Sequence, residues 1–289
     1  MSETNHKPVI RVSNLVKRFG ERTVLQGVDL EVYPGEIMVI LGGSGCGKST
    51  LLRHMIGLEW PDEGRVELFG KDLSELKQSE LDETRKRFGV LFQSGALFNS
   101  MTVEENVASP MREHTDLDEV TIDIMVRMKL EQVGLRPARD LMPSEISGGM
   151  KKRIGLARAI ALDPEILFYD EPSAGLDPVT LAMIDELIVD LTKKMGCTSV
   201  VVTHEMSSAF RIADRMALID KGRFLRIGPR EEFEKIRDGE HSGDAEYNLI
   251  RQFLRGDSVG PITDRRAQGD YTEEILTAGR EEPRPSWLV

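Results

Sequence analysis

The sequence predicts an α/β fold with a mostly parallel sheet, a helical block inserted midway and an extension at the C-terminal end. Three observations predict it. An apolar run, Ile37-Met38-Val39-Ile40-Leu41, leads through a glycine-rich turn into a helical pattern. A second pair of apolar runs, at 166–169 and 199–203, flanks a helical segment at 181–191, which is the strand–helix–strand crossover of a parallel sheet. Between these two regions, residues 94–162 read almost entirely as helix.

In chain order, residues 9–12 open as a strand, and 28–32 alternate apolar and polar like a half-buried one. Between them Phe19 stands beside the turn residue Gly20. Pro34-Gly35 turns the chain into the first apolar run. After the glycine-rich turn, Leu51, Leu52, Met55 and Ile56 share one helical face. Residues 65–69 alternate as a strand. A polar, mostly helical stretch with Leu73, Leu76 and Leu81 then leads to a strand at 88–93 that ends on the amide of Gln93. In the helical block, Ile122, Met125, Val126, Met128, Leu130 and Val133 recur at helical spacing; the methionines suit a promiscuous binding face, but a methionine-filled core is the expected reading. Ile154, Ala157, Ile160 and Ala161 face inward from the helix at 150–162. Residues 216–219 and 223–227, joined by Asp220-Lys221-Gly222, read as a hairpin. Past Gly228-Pro229 the chain turns polar and acidic, with one short amphipathic helix on Leu249, Ile250, Phe253 and Leu254. Tyr271, Ile275, Leu276, Trp287 and Leu288 punctuate a charged tail, which either docks on another surface or stays unstructured.

The chemistry begins at Gly42-Gly43-Ser44-Gly45-Cys46-Gly47-Lys48-Ser49, followed by Thr50. This fits the phosphate-binding loop, in the strand–turn–helix context that motif requires. Backbone N–H groups at a helix N-terminus point at an anion, Lys48 reaches the β- and γ-phosphates, and the Ser49 hydroxyl faces Mg²⁺. A nucleoside triphosphate is therefore the expected ligand. Asp170-Glu171 ends the apolar run at 166–169, delivering two carboxylates to the sheet edge. Asp170 suits Mg²⁺, and Glu171 suits a general base for the attacking water. Ser147-Gly148-Gly149-Met150 combines a serine N-cap with two glycines at a helix start, a second anion site 20 residues ahead of Asp170.

Composition narrows the classes. The net charge of −11 argues against nucleic acid as a partner. No apolar run approaches the ~18 residues of a spanning helix. Residues 1–6 are polar, unlike a signal peptide. Two cysteines, Cys46 and Cys197, form no framework, which suits a reducing cytosol. A soluble, cytoplasmic chain is the expectation, with any membrane role exerted through partners.

From about residue 8 to 228 the chain resembles the ATP-binding subunits of ABC transporters. Ile146-Ser147-Gly148-Gly149-Met150 is similar to their signature, with Ile for the usual leucine and Met for the usual glutamine. Ser173-Ala174-Gly175-Leu176-Asp177 is similar to their D-loop. His204 matches the switch histidine that touches the γ-phosphate, Gln93 the glutamine that senses Mg²⁺, and Phe19 the aromatic that stacks on adenine. The resemblance implies a P-loop NTPase of ABC type: a RecA-like core with a mostly parallel sheet, an N-terminal antiparallel β subdomain, a helical subdomain at about 94–162, and a C-terminal extension at 229–289. It implies ATP hydrolysis with Mg²⁺ held through Ser49, Gln93 and Asp170. It also implies a homodimer in which Ser147, Gly148, Gly149 and Met150 of one copy meet ATP held by the other, and Asp177 crosses the dimer axis.

Residues 142–150, 91–98 and 112–115 resemble one branch in particular, the ATPases of bacterial MCE-associated phospholipid-trafficking transporters; 251–256 resembles the start of that branch's extension. This implies a peripheral location on the cytoplasmic face of the inner membrane and transport that maintains outer-membrane lipid asymmetry. The partners it implies are two permease subunits, an MCE-domain periplasmic protein and a small STAS-domain cytoplasmic protein, with the tail reaching the neighbouring ATPase subunit. Phe92, Leu97, Phe98 and Met101, beside Gln93, either form the groove that takes a permease helix or bury themselves in the helical block. An amino-acid or metal-ion importer ATPase is the alternative, and a non-transport ABC ATPase a weaker one.

Overall fold

A computed structural model describes residues 7–240 and 243–265. The described residues fall into two compact units, one ending at Arg230 and the other beginning at Glu231. In the first unit the order is β1 (Ile10–Phe19), β2 (Arg22–Val32), β3 (Ile37–Leu41), α1 (Lys48–Met55), β4 (Glu63–Leu68), β5 (Lys71–Asp72), α2 (Gln78–Lys86) and β6 (Phe88–Leu91). Three helices follow: α3 (Val103–His114), α4 (Glu119–Gln132) and α5 (Gly148–Ala159). The chain then returns to strands with β7 (Ile166–Asp170), α6 (Pro178–Met195), β8 (Thr198–Thr203), α7 (Met206–Ile212), β9 (Arg215–Asp220) and β10 (Arg223–Pro229).

Two sheets form. The smaller is antiparallel, in the order β2-β1-β4-β5; the larger runs β10-β9-β3-β8-β7-β6, parallel from β9 to β6, with β10 returning antiparallel. Every residue of β3 and β8 is buried, as expected of central parallel strands covered on both faces. One core joins the sheets: Ile10, Leu25 and Leu30 of the smaller and Met38, Ile40 and Val200 of the larger cluster with Leu51, Leu52 and Met55 of α1.

Several expectations shift. Strand β1 runs on through Lys17 and Arg18 to Phe19, because these residues continue the antiparallel ladder with β2 as far as Phe19↔Arg22. Strand β6 stops at Leu91, so Gln93 lies two residues past it rather than on its end. On α4, Ile122, Val126 and Leu130 point inward, but Met128 is 60% exposed and Met125 only half-buried. Val120, Ile124 and Met128, four residues apart, form an outward stripe instead of core. Phe92 and Phe98 are also exposed, so burial does not account for them; with Met101 they line a cavity of about 840 Å³.

The second unit contains α8 (Arg230–Asp238), α9 (Ala245–Arg255) and α10 (Pro261–Arg265). Helix α9 is the expected amphipathic one: Leu249, Ile250 and Leu254 are buried, Asp244 caps its start and Gly256 its end. Arg251 ties it to α8 through the Ile236 carbonyl, and Gln252 holds α10 through Thr263 and the Ile262 amide. Tyr271, Ile275, Leu276, Trp287 and Leu288 lie outside the described residues.

Candidate active site at the carboxyl edge of the sheet

The parallel register brings four strand ends to one edge. Leu41 pairs with Thr203, Asp170 with Val202, and Leu91 with Tyr169. The residues just beyond, Gly42 after β3, His204 after β8, Glu171 after β7 and Gln93 after β6, therefore share the carboxyl edge of the sheet, where ligands of open α/β sheets collect.

The glycine-rich loop closes tightly. Gly47 has φ +109°, and a Cβ there would fall 2.8 Å from the Leu25 side chain, so only glycine lets the loop turn into α1 against β2. Gly43 is half-exposed, Ser44 and Gly45 are exposed, while Gly42, Cys46 and Lys48 are buried and Thr50 is half-buried. Lys48 Nζ donates to the carbonyls of Gly42 (2.8 Å) and Gly43 (3.0 Å), which holds the ammonium inside the loop at the N-terminus of α1. Burial pushes the Cys46 thiol up, so it is a packed apolar group rather than a reactive thiolate.

Ser49 Oγ donates to Asp170 Oδ1 at 3.1 Å. Burial raises the Asp170 carboxyl, partly opposed by that bond, with the neighbouring Glu171 raising it further. Two adjacent oxygen donors, one of them a carboxylate that is costly to leave unpaired in its ionised form, fit a hard divalent cation such as Mg²⁺. Gln93 is exposed, and among the described residues no hydrogen bond joins it to this pair.

Glu171 stands at the centre. Its side chain is 12% exposed; Oε1 lies 3.7 Å from Lys48 Nζ, and Oε2 lies 2.8 Å from His204 Nδ1 and accepts the His204 amide at 3.3 Å. Its backbone is left-handed at φ +48°, held by donation of its amide to the Val202 carbonyl at 2.9 Å. Strain of this kind costs about 1–3 kcal/mol and collects at functional sites.

Lys48, Ser49, Asp170, Glu171 and His204 thus form one cluster. The remaining candidates lie elsewhere. Phe19 ends β1 half-exposed, with Lys17 Nζ 5.3 Å from its ring centre. Ser147 caps α5, accepting the Met150 amide at 3.2 Å; it and Gly148 are exposed, Gly149 is buried and Met150 half-buried. Among the described residues no hydrogen bond joins 147–150 to the loop at 42–50. Asp177 caps α6 through the amides of Val179 and Thr180.

One contributor escaped sequence reasoning. Lys152, 5% exposed on α5, donates Nζ to the Ala174 carbonyl at 2.6 Å and lies 3.5 Å from that of Glu171. The available signal was a cation in register with the inward residues Gly149 and Leu156 of the same helix.

Comparison with known proteins bears on the family of the chain. A family model described as ABC transporter matches residues 25–174. The intermembrane phospholipid transport system ATP-binding protein MlaF of Haemophilus influenzae is 42% identical over 93% of this chain and 98% of its own. MlaF of Escherichia coli is 41% identical over 89% and 92%. A Mycobacterium leprae protein named as a probable ribonucleotide transport ATP-binding protein is 41% identical over 93% of this chain and 76% of its own. Among solved structures, a dimeric ATP-binding cassette in a post-hydrolysis state bound to ADP and Pi superposes with a TM-score of 0.71 at 30% identity, covering 76% of this chain and 98% of that one. The Clostridium perfringens protein cbiO1, part of the ABC transporter complex cbiONQ, gives 0.73 at 27% identity, covering 84% and 99%.

Proposed function

The chain belongs to the ATP-binding subunits of ABC transporters, and from that membership we propose that it drives phospholipid between the inner and outer membranes to maintain outer-membrane asymmetry. ATP is its substrate and hydrolysis its reaction. The similarity to the MlaF proteins over almost the whole of both chains supports the lipid cargo. In this reading the subunit works as a homodimer on the cytoplasmic face of the inner membrane, bound to permease subunits through the cavity beside Phe92 and Phe98. An MCE-domain periplasmic protein and a small STAS-domain cytoplasmic protein complete the complex. No helix among the described residues is long and apolar enough to cross a membrane, so attachment would run through those partners.

The observation that carries the chemistry is the position of Glu171 between Lys48 and His204. The loop amides and Lys48 hold the β- and γ-phosphates. Glu171 takes a proton from the attacking water on its carboxylate, and the His204 ring and amide fix the orientation of that carboxylate. Ser49 and Asp170 would hold Mg²⁺, which when bound neutralises charge on the β- and γ-oxygens. Ser147, Gly148 and Gly149 of the second copy close over the γ-phosphate, so neither site is complete in one chain. ATP closes the dimer and hydrolysis reopens it, while the lipid stays with the partners.

The test is purification of the chain with its partners from detergent-solubilised membranes. Recovery of an MCE-domain protein with bound phospholipid is expected. A periplasmic solute-binding protein, or ATP-driven uptake of ribonucleotides in place of phospholipid, would overturn the cargo.

A further inference from the structure

Lys152 takes no part in the chemistry above, yet it is an ammonium held almost entirely out of water. Among the described residues it makes no direct ion pair; burial lowers its pKa, and the charge of Glu171 partly opposes that. A buried cation without a carboxylate in contact is costly unless its donors are used. Here they go to backbone: the Ala174 carbonyl at 2.6 Å and, at the limit of a bond, the Glu171 carbonyl at 3.5 Å. The ammonium therefore bridges α5 to the segment between β7 and α6.

A second contact, one turn earlier, joins the same elements. A Cβ at Gly149 would fall 2.7 Å from Thr180 Cγ2, with Leu176 at 3.9 Å, so glycine lets the start of α5 seat directly on the start of α6. Thr180 is in turn fixed to Asp177, Oγ1 to Oδ2 at 2.5 Å. Residues 147–152 and 171–180 are thus joined at both ends of a short interface.

We infer that Lys152 is a positioning residue that couples the two ATP sites of the dimer. The inference rests on the shared-site reading proposed above. In that arrangement Ser147–Gly149 of one subunit meet the ATP bound by its partner, whereas Glu171 of the same subunit acts on its own ATP. Lys152 lies between them within one chain. Engagement of α5 at one site shifts the 171–174 backbone, and with it the carboxylate, at the other.

The experiment measures ATPase rate against ATP concentration in the full-length chain within its purified transporter complex. Lys152→Met keeps the aliphatic stem and removes the ammonium. The wild type is expected to show a Hill coefficient approaching the number of sites, about two, and Lys152→Met one near one, with kcat lowered about tenfold. ATP affinity should stay within about twofold, and Lys152→Arg should restore the Hill coefficient. If Lys152→Met fails to fold, Lys152→Gln takes its place in the same measurement. ATP-dependent dimerisation is followed separately in Glu171→Gln, with and without Lys152→Met. Failure of Glu171→Gln itself to dimerise overturns the shared site and this inference with it. Normal dimerisation combined with a wild-type Hill coefficient in Lys152→Met overturns the inference alone. A wild type without cooperativity overturns it as well.

Discussion

Nδ1 of His204 lies 2.8 Å from Oε2 of Glu171, and the His204 amide donates to the same oxygen at 3.3 Å. The two residues come from adjacent parallel strands, β8 and β7, so sheet register sets their separation. The left-handed backbone of Glu171 is held by that same pairing, through the Val202 carbonyl. Sheet register and these hydrogen bonds thus fix where the carboxylate points.

Glu171→Gln keeps the shape of this arrangement and removes the proposed base. The variant should bind ATP and dimerise, with turnover reduced at least about hundredfold. Phosphate release under saturating ATP, alongside equilibrium nucleotide binding, measures both quantities. Wild-type turnover would remove Glu171 from its proposed role.

His204→Ala removes the ring in contact with the carboxylate and leaves the proposed base itself. Turnover should fall about ten- to hundredfold, with KM for ATP changed less than about threefold, because the interaction matters most in the transition state. A rise in KM with unchanged kcat would mean that His204 serves ground-state binding only.

Ser147→Arg places a long cation at an exposed helix cap outside the cluster at Lys48 and Glu171. ATP binding by the single chain should therefore survive while closure of the dimer is blocked, lowering ATPase at least about tenfold. Light scattering with and without ATP in the Glu171→Gln background reports closure directly. Unchanged dimerisation would place the signature serine outside the shared site.

Much of this site is legible in the sequence because its parts are local. The run at 37–41, the loop at 42–49 and the carboxylates at 170–171 each declare themselves within a few residues. What periodicity does not carry is distance between elements. Nothing in the spacing of Glu171 and His204 specifies 2.8 Å; that comes from β7 and β8 pairing in parallel. Lys152 is missed for a related reason, since its partners are backbone carbonyls and every residue has one. Phe19 reads as lying between two strands, beside the turn residue Gly20, whereas the backbone pairing of Lys17 and Arg18 with β2 carries the strand as far as Phe19. Met128 is misread because α4 is apolar on two faces, Ile122, Val126 and Leu130 on one and Val120, Ile124 and Met128 on the other, so helical spacing alone does not tell the buried stripe from the exposed one.

The helix that follows His204 rests on a buried carboxylate, and this gives a prediction about pH. Asp185 on α6 is fully buried; it accepts Ser208 Oγ at 2.5 Å and Arg211 Nη1 at 2.8 Å, both from α7. Burial raises its carboxyl above the ordinary aspartate value, and the Ser208 bond and Arg211 charge oppose the rise. Arg211→Met removes that opposing charge and drives the folded-state pKa higher still. The ionised carboxyl is then penalised in the folded chain at neutral pH, and the penalty disappears as the group takes up its proton. Breaking a fully buried pair costs about 3–5 kcal/mol; with Arg211 nearly half-exposed and Ser208 still bound, about 1–2 kcal/mol is expected at pH 7. The difference from wild type should shrink as pH falls through the raised pKa towards the unfolded value near 3.8. Denaturant unfolding of both proteins at pH 7 and pH 5 measures it, with Asp185→Asn/Arg211→Met as the control that lacks the titrating group. A difference that stays constant with pH would mean that Arg211 holds α7 by packing alone.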